Sequence, residues 1–391
     1  MIVNAEEGCF VTVVEIREFR VEISEADIAD LRARLERTRW PDAETVSDWS
    51  QGIPSAYVRE LAGYWAKDYD MQRVAKRLNA YPQFHATIGD LGIHFLHVRS
   101  PHSEARPLIL THGWPGSVVE FLDVIGALTD PERFGGHARD AFHVVIPSLP
   151  GYGFSDKPVV PGVGIERIAQ AWNELMVALG YHHYYAQGGD WGAFVTTAMG
   201  TNPPAGLLGI HVNLALAAPE ALAGLGELTP EEQAVGGLPA YLEQEGAYAV
   251  QQATRPQTLG YGLADSPVGQ LAWITEKFYA WTDCAGHPEN AVPRDVILDN
   301  VMVYWLTNTA ASSARLYWES FSMISSFEEV AVPSAYTRFP KEIVNVSERW
   351  LRTRFTGLRY YHGVAKGGHF AALEQPETFV DEVRLGIRAL S

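Results

Sequence analysis

Cysteine is nearly absent: the 391 residues hold two, Cys9 and Cys284. Far apart in the chain, they offer neither a disulfide framework nor metal-ligand spacing, and a reducing cytoplasm is the expected setting. Long apolar runs are missing as well. No window reaches the roughly 18 apolar residues of a membrane helix, and Met1 to Phe10 (MIVNAEEGCF) has neither the basic start nor the apolar stretch of a secretory signal. No membrane partner is expected. Positive charge is scarce, with 30 Lys and Arg against 47 Asp and Glu and a formal charge of −17. That balance disfavours nucleic acid and anionic surfaces as partners. Internal repeats, low-complexity stretches and the G-x-S-x-G nucleophile elbow are lacking too. What the chain has in quantity is apolar surface, 47% hydrophobic and 11% aromatic, enough for a large core and an apolar pocket.

The pattern of the chain predicts an α/β fold, a mostly parallel doubly wound sheet with an inserted helical cap and an N-terminal helical extension. Ser24 reads as the cap of an amphipathic helix running to Thr38 with Ile28, Leu31 and Leu35 on one face, and a second helix spans Ser55 to Lys67. Residues 1 to 16 read as a loose tail. Strands at about 93–99, 107–111, 142–147 and 183–187 alternate with helices, the mark of a parallel sheet. One of those helices is expected over Ser117 to Leu128. After a strand at Leu207 to Leu214 the alternation stops. Helices then follow, with Gly- and Pro-marked breaks at 236–239 and 286–293, until alternation resumes near 332. The implied units are an extension (1–90) wrapping the core, a first core part (91–216), a cap (217–320) and a second core part (321–391).

Gly188-Gly-Asp-Trp-Gly192 follows an apolar strand and opens a packed helix, which puts Asp190 where an elbow carries its nucleophile. A bare G-x-D-x-G is also consistent with a loop whose Asp caps the next helix. Upstream, Pro107 to Ser117 (PLILTHGWPGS) runs from a strand into His112-Gly-Trp-Pro115. There it has the layout of an oxyanion loop, whose backbone N–H groups here would be those of Trp114 and Trp191. Downstream, His369 sits in Lys366-Gly-Gly-His-Phe370, where the glycines leave its imidazole free to reach the elbow. Glu342, after a late strand, is the candidate carboxylate to orient it. The order Asp190, Glu342, His369 is that of nucleophile, acid and base in this architecture. Asp156, Asp295 and Asp299 are alternative acids, ranked lower because none follows a late core strand.

In order along the chain, Thr38-Arg-Trp-Pro41, Tyr81-Pro-Gln-Phe84, His112-Gly-Trp-Pro-Gly-Ser117, Pro150-Gly-Tyr-Gly-Phe-Ser155, Gly188-Gly-Asp-Trp-Gly192, Gln251-Gln-Ala-Thr-Arg-Pro256, Asp265-Ser-Pro-Val-Gly269, Glu276-Lys-Phe278, Ala311 to Tyr317 (ASSARLY) and Gly367-Gly-His-Phe-Ala-Ala372 make a composite. It resembles the microsomal-type epoxide hydrolases of the α/β-hydrolase fold over nearly the whole chain. The resemblance implies an N-terminal extension around the core and two cap tyrosines that hydrogen-bond the epoxide oxygen. These fall on Tyr248 and Tyr317. Tyr304, in an apolar helix, is the competing position. The mammalian members' N-terminal membrane anchor has no counterpart in Met1 to Phe10.

An epoxide is strained but leaves as an alkoxide, so carbon needs a nucleophile while oxygen needs a proton. The Asp190 carboxylate can form a hydroxyalkyl ester, phenols can feed the proton, and His369 can then activate water for attack on the ester carbonyl. The diol's new oxygen would come from Asp190 on the first turnover. The expected partners are an epoxide and water, with a homodimer left open; no metal or organic cofactor is required. A haloalkane-type dehalogenase shares the aspartate, but it would favour Asn or Glu at position 114, where Trp114 stands. A non-catalytic ligand-binding homologue would lack one of Asp190, Glu342 or His369.

Overall fold

The computed structural model describes residues 14–217, 221–222, 224–229, 232–233, 237–322 and 327–391. Cys9, most of the expected N-terminal tail and part of the break expected at 236–239 lie outside them. The elements run β1 (Ile16–Phe19), α1 (Glu25–Glu36), α2 (Ser55–Lys67), α3 (Arg73–Leu78), β2 (Gln83–Ile88), β3 (Leu91–Val98), β4 (Arg106–Thr111), α4 (Ile125–Thr129), β5 (Phe142–Pro147), α5 (Ile165–Ala178), β6 (Tyr184–Gly188), α6 (Asp190–Thr201) and β7 (Leu207–Val212). Then come the helices α7 (Gly237–Glu245), α8 (Ala247–Thr254), α9 (Pro256–Asp265), α10 (Pro267–Trp281), α11 (Arg294–Thr307) and α12 (Ala310–Ser320). The chain closes with β8 (Ser334–Arg338), α13 (Glu348–Leu351), β9 (Leu358–Gly363), α14 (Ala371–Glu374) and α15 (Pro376–Leu390).

The nine strands form one sheet in the order β1-β2-β3-β5-β4-β6-β7-β8-β9. From β5 onward the neighbours are parallel, and β1, β2 and β3 add antiparallel at one edge. The central strands β4, β5 and β6 are buried almost throughout, as strands covered by helices on both faces must be. In α1, Ser24 and Asp27 make a reciprocal capping box, and Ile28, Leu31 and Leu35 are the buried face.

Three expectations need correction. The N-terminal extension is not purely helical, because β1 and β2 join the sheet. β1 at the sheet edge and β2 beside it carry polar, only partly buried faces, which hid them from a search for apolar runs. Ser117 to Leu128 is not one helix. It is a short 3₁₀ turn at Val118–Phe121 followed by α4, closed by tight bonds from the Glu120 N–H to Ser117 O (3.0 Å) and the Leu122 N–H to Val119 O (3.3 Å); just ahead of it, Asn300 Nδ2 of α11 donates to Pro115 O (2.7 Å) and the Tyr304 hydroxyl to Gly116 O (2.8 Å). At 236–239, Gly237, Leu238 and Pro239 belong to α7, so the described part of that stretch is helix and not a break.

Candidate active site

β6 ends at Gly188 and α6 begins at Asp190, so Gly189 alone turns the chain. Asp190 stands at φ 50°, in the left-handed region that non-glycine residues rarely occupy. Two glycines make that turn compatible with close packing. A Cβ on Gly188 would lie 2.1 Å from Gly192 O, and one on Gly192 would lie 2.0 Å from Thr111 O. Strand, turn and helix therefore meet backbone to backbone, and the carboxylate projects from the tip.

The Trp114 N–H donates to Asp190 Oδ1 at 2.7 Å. Trp191, in the first turn of α6, has no intrahelical acceptor for its own N–H. The oxyanion loop carrying Trp114 is fixed from α11, where Asn300 also accepts from the Ser117 hydroxyl at 2.7 Å. The Tyr304 hydroxyl is engaged on that loop.

On the other side of the carboxylate, His369 Nε2 lies 3.2 Å from Asp190 Oδ2, and its Nδ1 lies 2.5 Å from Glu342 Oε1. Lys341 bridges to Gly368 and its N–H donates to Gly367 O at 3.0 Å, so the loop after β8 runs beside the histidine loop and delivers Glu342 to the ring. The His369 N–H donates to Trp281 O at the end of α10 (2.9 Å), and a Cβ on Gly368 would come within 2.4 Å of that oxygen. Close approach to the cap is thus the reason for glycine at 368. Glu374 clamps the same loop, accepting from the N–H groups of Phe370 (3.0 Å) and Asp283 (2.8 Å). Burial pushes the His369 imidazole down, but the Glu342 carboxylate and the hydrogen bonds to Asp190 and Glu342 prevail and hold it well above its ordinary range. That setting, between the carboxyl groups of Asp190 and Glu342, favours the protonated ring. The alternative acids are engaged elsewhere: Asp299 with Tyr69, Arg73 and Arg77, Asp295 with Tyr64, and Asp156 beside His85.

Tyr248 on α8 and Tyr317 on α12 face the elbow from the cap. Trp114 stacks on Tyr248 (ring centroids 5.2 Å) and meets Tyr317 edge-on (5.8 Å), while Trp191 packs edge-on against Tyr317 (4.7 Å). The two tyrosine rings are 5.9 Å apart. Trp114 and Trp191 therefore wall in the phenols. Burial, then the charge of Asp190, pushes the Tyr248 phenol up; burial, Tyr248 and Asp190 do the same to Tyr317. Both stay protonated donors. The structure thus brings Asp190, His369, Glu342, Tyr248, Tyr317, Trp114 and Trp191 into one site.

It adds residues that the sequence reading gave no role. Lys277 lies over the Tyr248 ring, the Tyr241 hydroxyl is 3.5 Å from that of Tyr248, and Glu120 and Gln187 border the space around Asp190. The Glu276-Lys277-Phe278 block was the one signal for the lysine, and it named no chemistry.

Residues 16–121 match the family described as epoxide hydrolase N terminus, and residues 106–215 match the alpha/beta hydrolase fold family. A protein of Stigmatella aurantiaca assigned as an epoxide hydrolase is 51% identical over 96% of this chain and 85% of its own length. Epoxide hydrolase 1 of Oryctolagus cuniculus is 37% identical over 94% of this chain and 88% of its own. The crystal structure of juvenile hormone epoxide hydrolase from the silkworm Bombyx mori superposes with a TM-score of 0.88 at 33% identity, covering 96% of this chain and 95% of that one. The chain belongs to the microsomal-type epoxide hydrolases of the α/β-hydrolase fold, and it is an enzyme that hydrolyses epoxides.

Proposed function

We propose that this chain opens an epoxide to a vicinal diol through a covalent ester on Asp190. The observation that carries the reading is the placement of one carboxylate between the Trp114 N–H at 2.7 Å and His369 Nε2 at 3.2 Å, beneath two buried phenols. Oδ1 is held by the oxyanion loop, so Oδ2 is the attacking atom. It bonds to the epoxide carbon, the ring C–O bond breaks, and the departing oxygen takes a proton from Tyr248 or Tyr317.

Alkylation removes the charge of Asp190 and with it one of the two supports of the imidazolium. The proton on His369 then has a better home on the phenolate, which leaves a neutral imidazole oriented by Glu342. That base takes a proton from water, and hydroxide adds to the Asp190 carbonyl carbon. The Trp114 and Trp191 N–H groups hold the oxyanion. The ester C–O bond breaks, the leaving alkoxide takes the proton of the added hydroxyl, and Asp190 is left as a carboxylate beside the His369 imidazolium, the state from which the cycle began. The aromatic walls suit an apolar epoxide, an inference in keeping with the juvenile hormone hydrolase that the chain resembles.

The test is a single turnover of styrene oxide in oxygen-18 water with enzyme in excess, beside Asp190→Ala. Unlabelled diol, lost in the variant, is expected. Labelled diol would mean that water attacks the ring directly.

A further inference from the structure

Beside the nucleophile, between the oxyanion loop and the end of β6, a small void leaves about 10 Å³ for the centre of a water molecule. That is room for about one water. Gly113, Glu120, Gln187, Asp190, Asn213 and His369 are on its border. Gln187 is 1% exposed. Its amide nitrogen donates to Asn213 Oδ1 at 3.0 Å, while its Oε1 is a buried acceptor without a hydrogen-bond partner. Such an acceptor is costly unless a donor reaches it.

Glu120 enters the same space by an unusual route. It belongs to the 3₁₀ turn Val118–Phe121, and its carboxyl folds back over Gly116, where a Cβ would lie 1.5 Å from Glu120 Oε1. Any other residue at 116 would expel that carboxyl. Glu120 lies deep in the molecule yet keeps accessible surface. Burial pushes its carboxyl up to about 8 against the opposing pull of His369, so at neutral pH it can donate a hydrogen bond as well as accept one.

We propose that this void seats the hydrolytic water, with Glu120 and Gln187 as the positioning residues that hold it between His369 and the carboxyl carbon of Asp190. A water there donates one hydrogen to Gln187 Oε1 and the other to the neutral imidazole, accepts from the Glu120 O–H, and has its second lone pair left for the ester carbon. Glu120 and Gln187 gain and lose no net proton. The assignment rests on the Asp190 ester proposed above, and it adds a division of labour: the cap phenols serve ring opening, and this pair serves ester breakdown.

The test uses Glu120→Gln and Gln187→Met in single turnovers of styrene oxide, following tryptophan fluorescence for ring opening and intact mass for the Asp190 adduct. Ring opening is expected within about threefold of wild type. Ester breakdown should slow by tenfold or more, so that the adduct accumulates, and the dependence of breakdown on pH near 8 should vanish in Glu120→Gln. Gln187→Met carries the test if Glu120→Gln fails to fold. Equal loss in both steps, or no loss in breakdown, overturns the positioning role and leaves the ester reading intact. Labelled diol from wild type in oxygen-18 water, with no adduct in any variant, overturns the ester reading and this proposal with it.

Discussion

The ammonium of Lys277 lies 4.3 Å from the centre of the Tyr248 ring. The lysine is 5% exposed and pairs with Glu276 at 2.6 Å, so α10 carries a buried cation to the face of a phenol on α8. A cation there attracts the ring more strongly once the phenol has given up its proton, which is when ring opening needs help. A desolvated contact of this kind contributes about 1–2 kcal/mol. Lys277→Met is therefore expected to slow ring opening about five- to thirty-fold, with ester breakdown less affected. Stopped-flow fluorescence in single turnover separates the two rates. Unchanged ring opening would show that the lysine only fills space.

In the proposed mechanism the two phenols serve one oxygen, so neither replacement alone should be as severe as both. Tyr248→Phe and Tyr317→Phe are each expected to lower the ring-opening rate by about 10²-fold, within the range for a positioned proton donor. The double variant should lose ring opening altogether while keeping the fold, since Phe preserves the ring contacts with Trp114 and Trp191. A double variant no worse than either single one would mean that one phenol does all of the work.

The parts of this site that were legible in the sequence are those set by local backbone constraints. Gly188 and Gly192 had to be small because strand and helix meet there, and Glu342 stands where a late strand ends, beside the loop of His369. Tyr248 and Tyr317 were legible only through family resemblance, because nothing within α8 or α12 distinguishes a proton donor from a packing tyrosine. Lys277, Glu120 and Gln187 acquire their meaning from neighbours far along the chain. Strands β1, at the sheet edge, and β2, beside it, escaped because their polar, partly exposed faces lack the apolar run by which β4, β5 and β6 announce themselves. The helix expected from Ser117 begins instead as a 3₁₀ turn, with Glu120 and Leu122 bonded three residues back, on a loop that Asn300 and Tyr304 of α11 hold at Pro115 and Gly116.

Stability should peak near pH 6.5. Burial holds His94 and His211 at about 3 and His97 and His112 at about 4. The unfolded chain takes up these protons below about 6.5, so stability falls as pH drops from there toward 4. The opposite sign applies to Glu120, pushed up to about 8, and Glu374, pushed up to about 7, mainly by burial. Their folded forms keep protons that the unfolded chain releases above about 4.3, so their contribution is present at low pH and lost as pH rises through 7 and 8. His369, also raised, adds to the alkaline loss. Between about 4.3 and 6.5 the four imidazoles outweigh the two carboxyls, and above that range only the losses remain. Urea midpoints measured from pH 4 to 9 test this. A midpoint that stays flat from pH 6.5 to 8.5 would remove the alkaline half of the argument.

Two glycines of the site answer to different demands, and their alanine variants should separate fold from chemistry. A Cβ on Gly192 would meet the carbonyl oxygen of Thr111 at 2.0 Å, backbone against backbone in the centre of the sheet. Neither side can yield without moving β4 or α6, so Gly192→Ala is expected to destabilise the whole chain and lower its yield. A Cβ on Gly113 would meet Oδ1 of Asp190 at the same distance, 2.0 Å. That oxygen ends a side chain and can swing away, but the Asp190 Cβ, 2.3 Å from the same point, moves only with the tip of the elbow, so the cost is a local shift there and not of the sheet. The swing takes the carboxylate off the Trp114 N–H and out of line with His369, and misplacement by about 1 Å can cost 10²-fold in rate. Gly113→Ala should therefore melt below wild type but above Gly192→Ala, while losing about two orders of magnitude in ring opening. Thermal unfolding and single-turnover rates on the same preparations decide it, and an active Gly113→Ala enzyme would show that the Trp114 contact is not what aims the nucleophile.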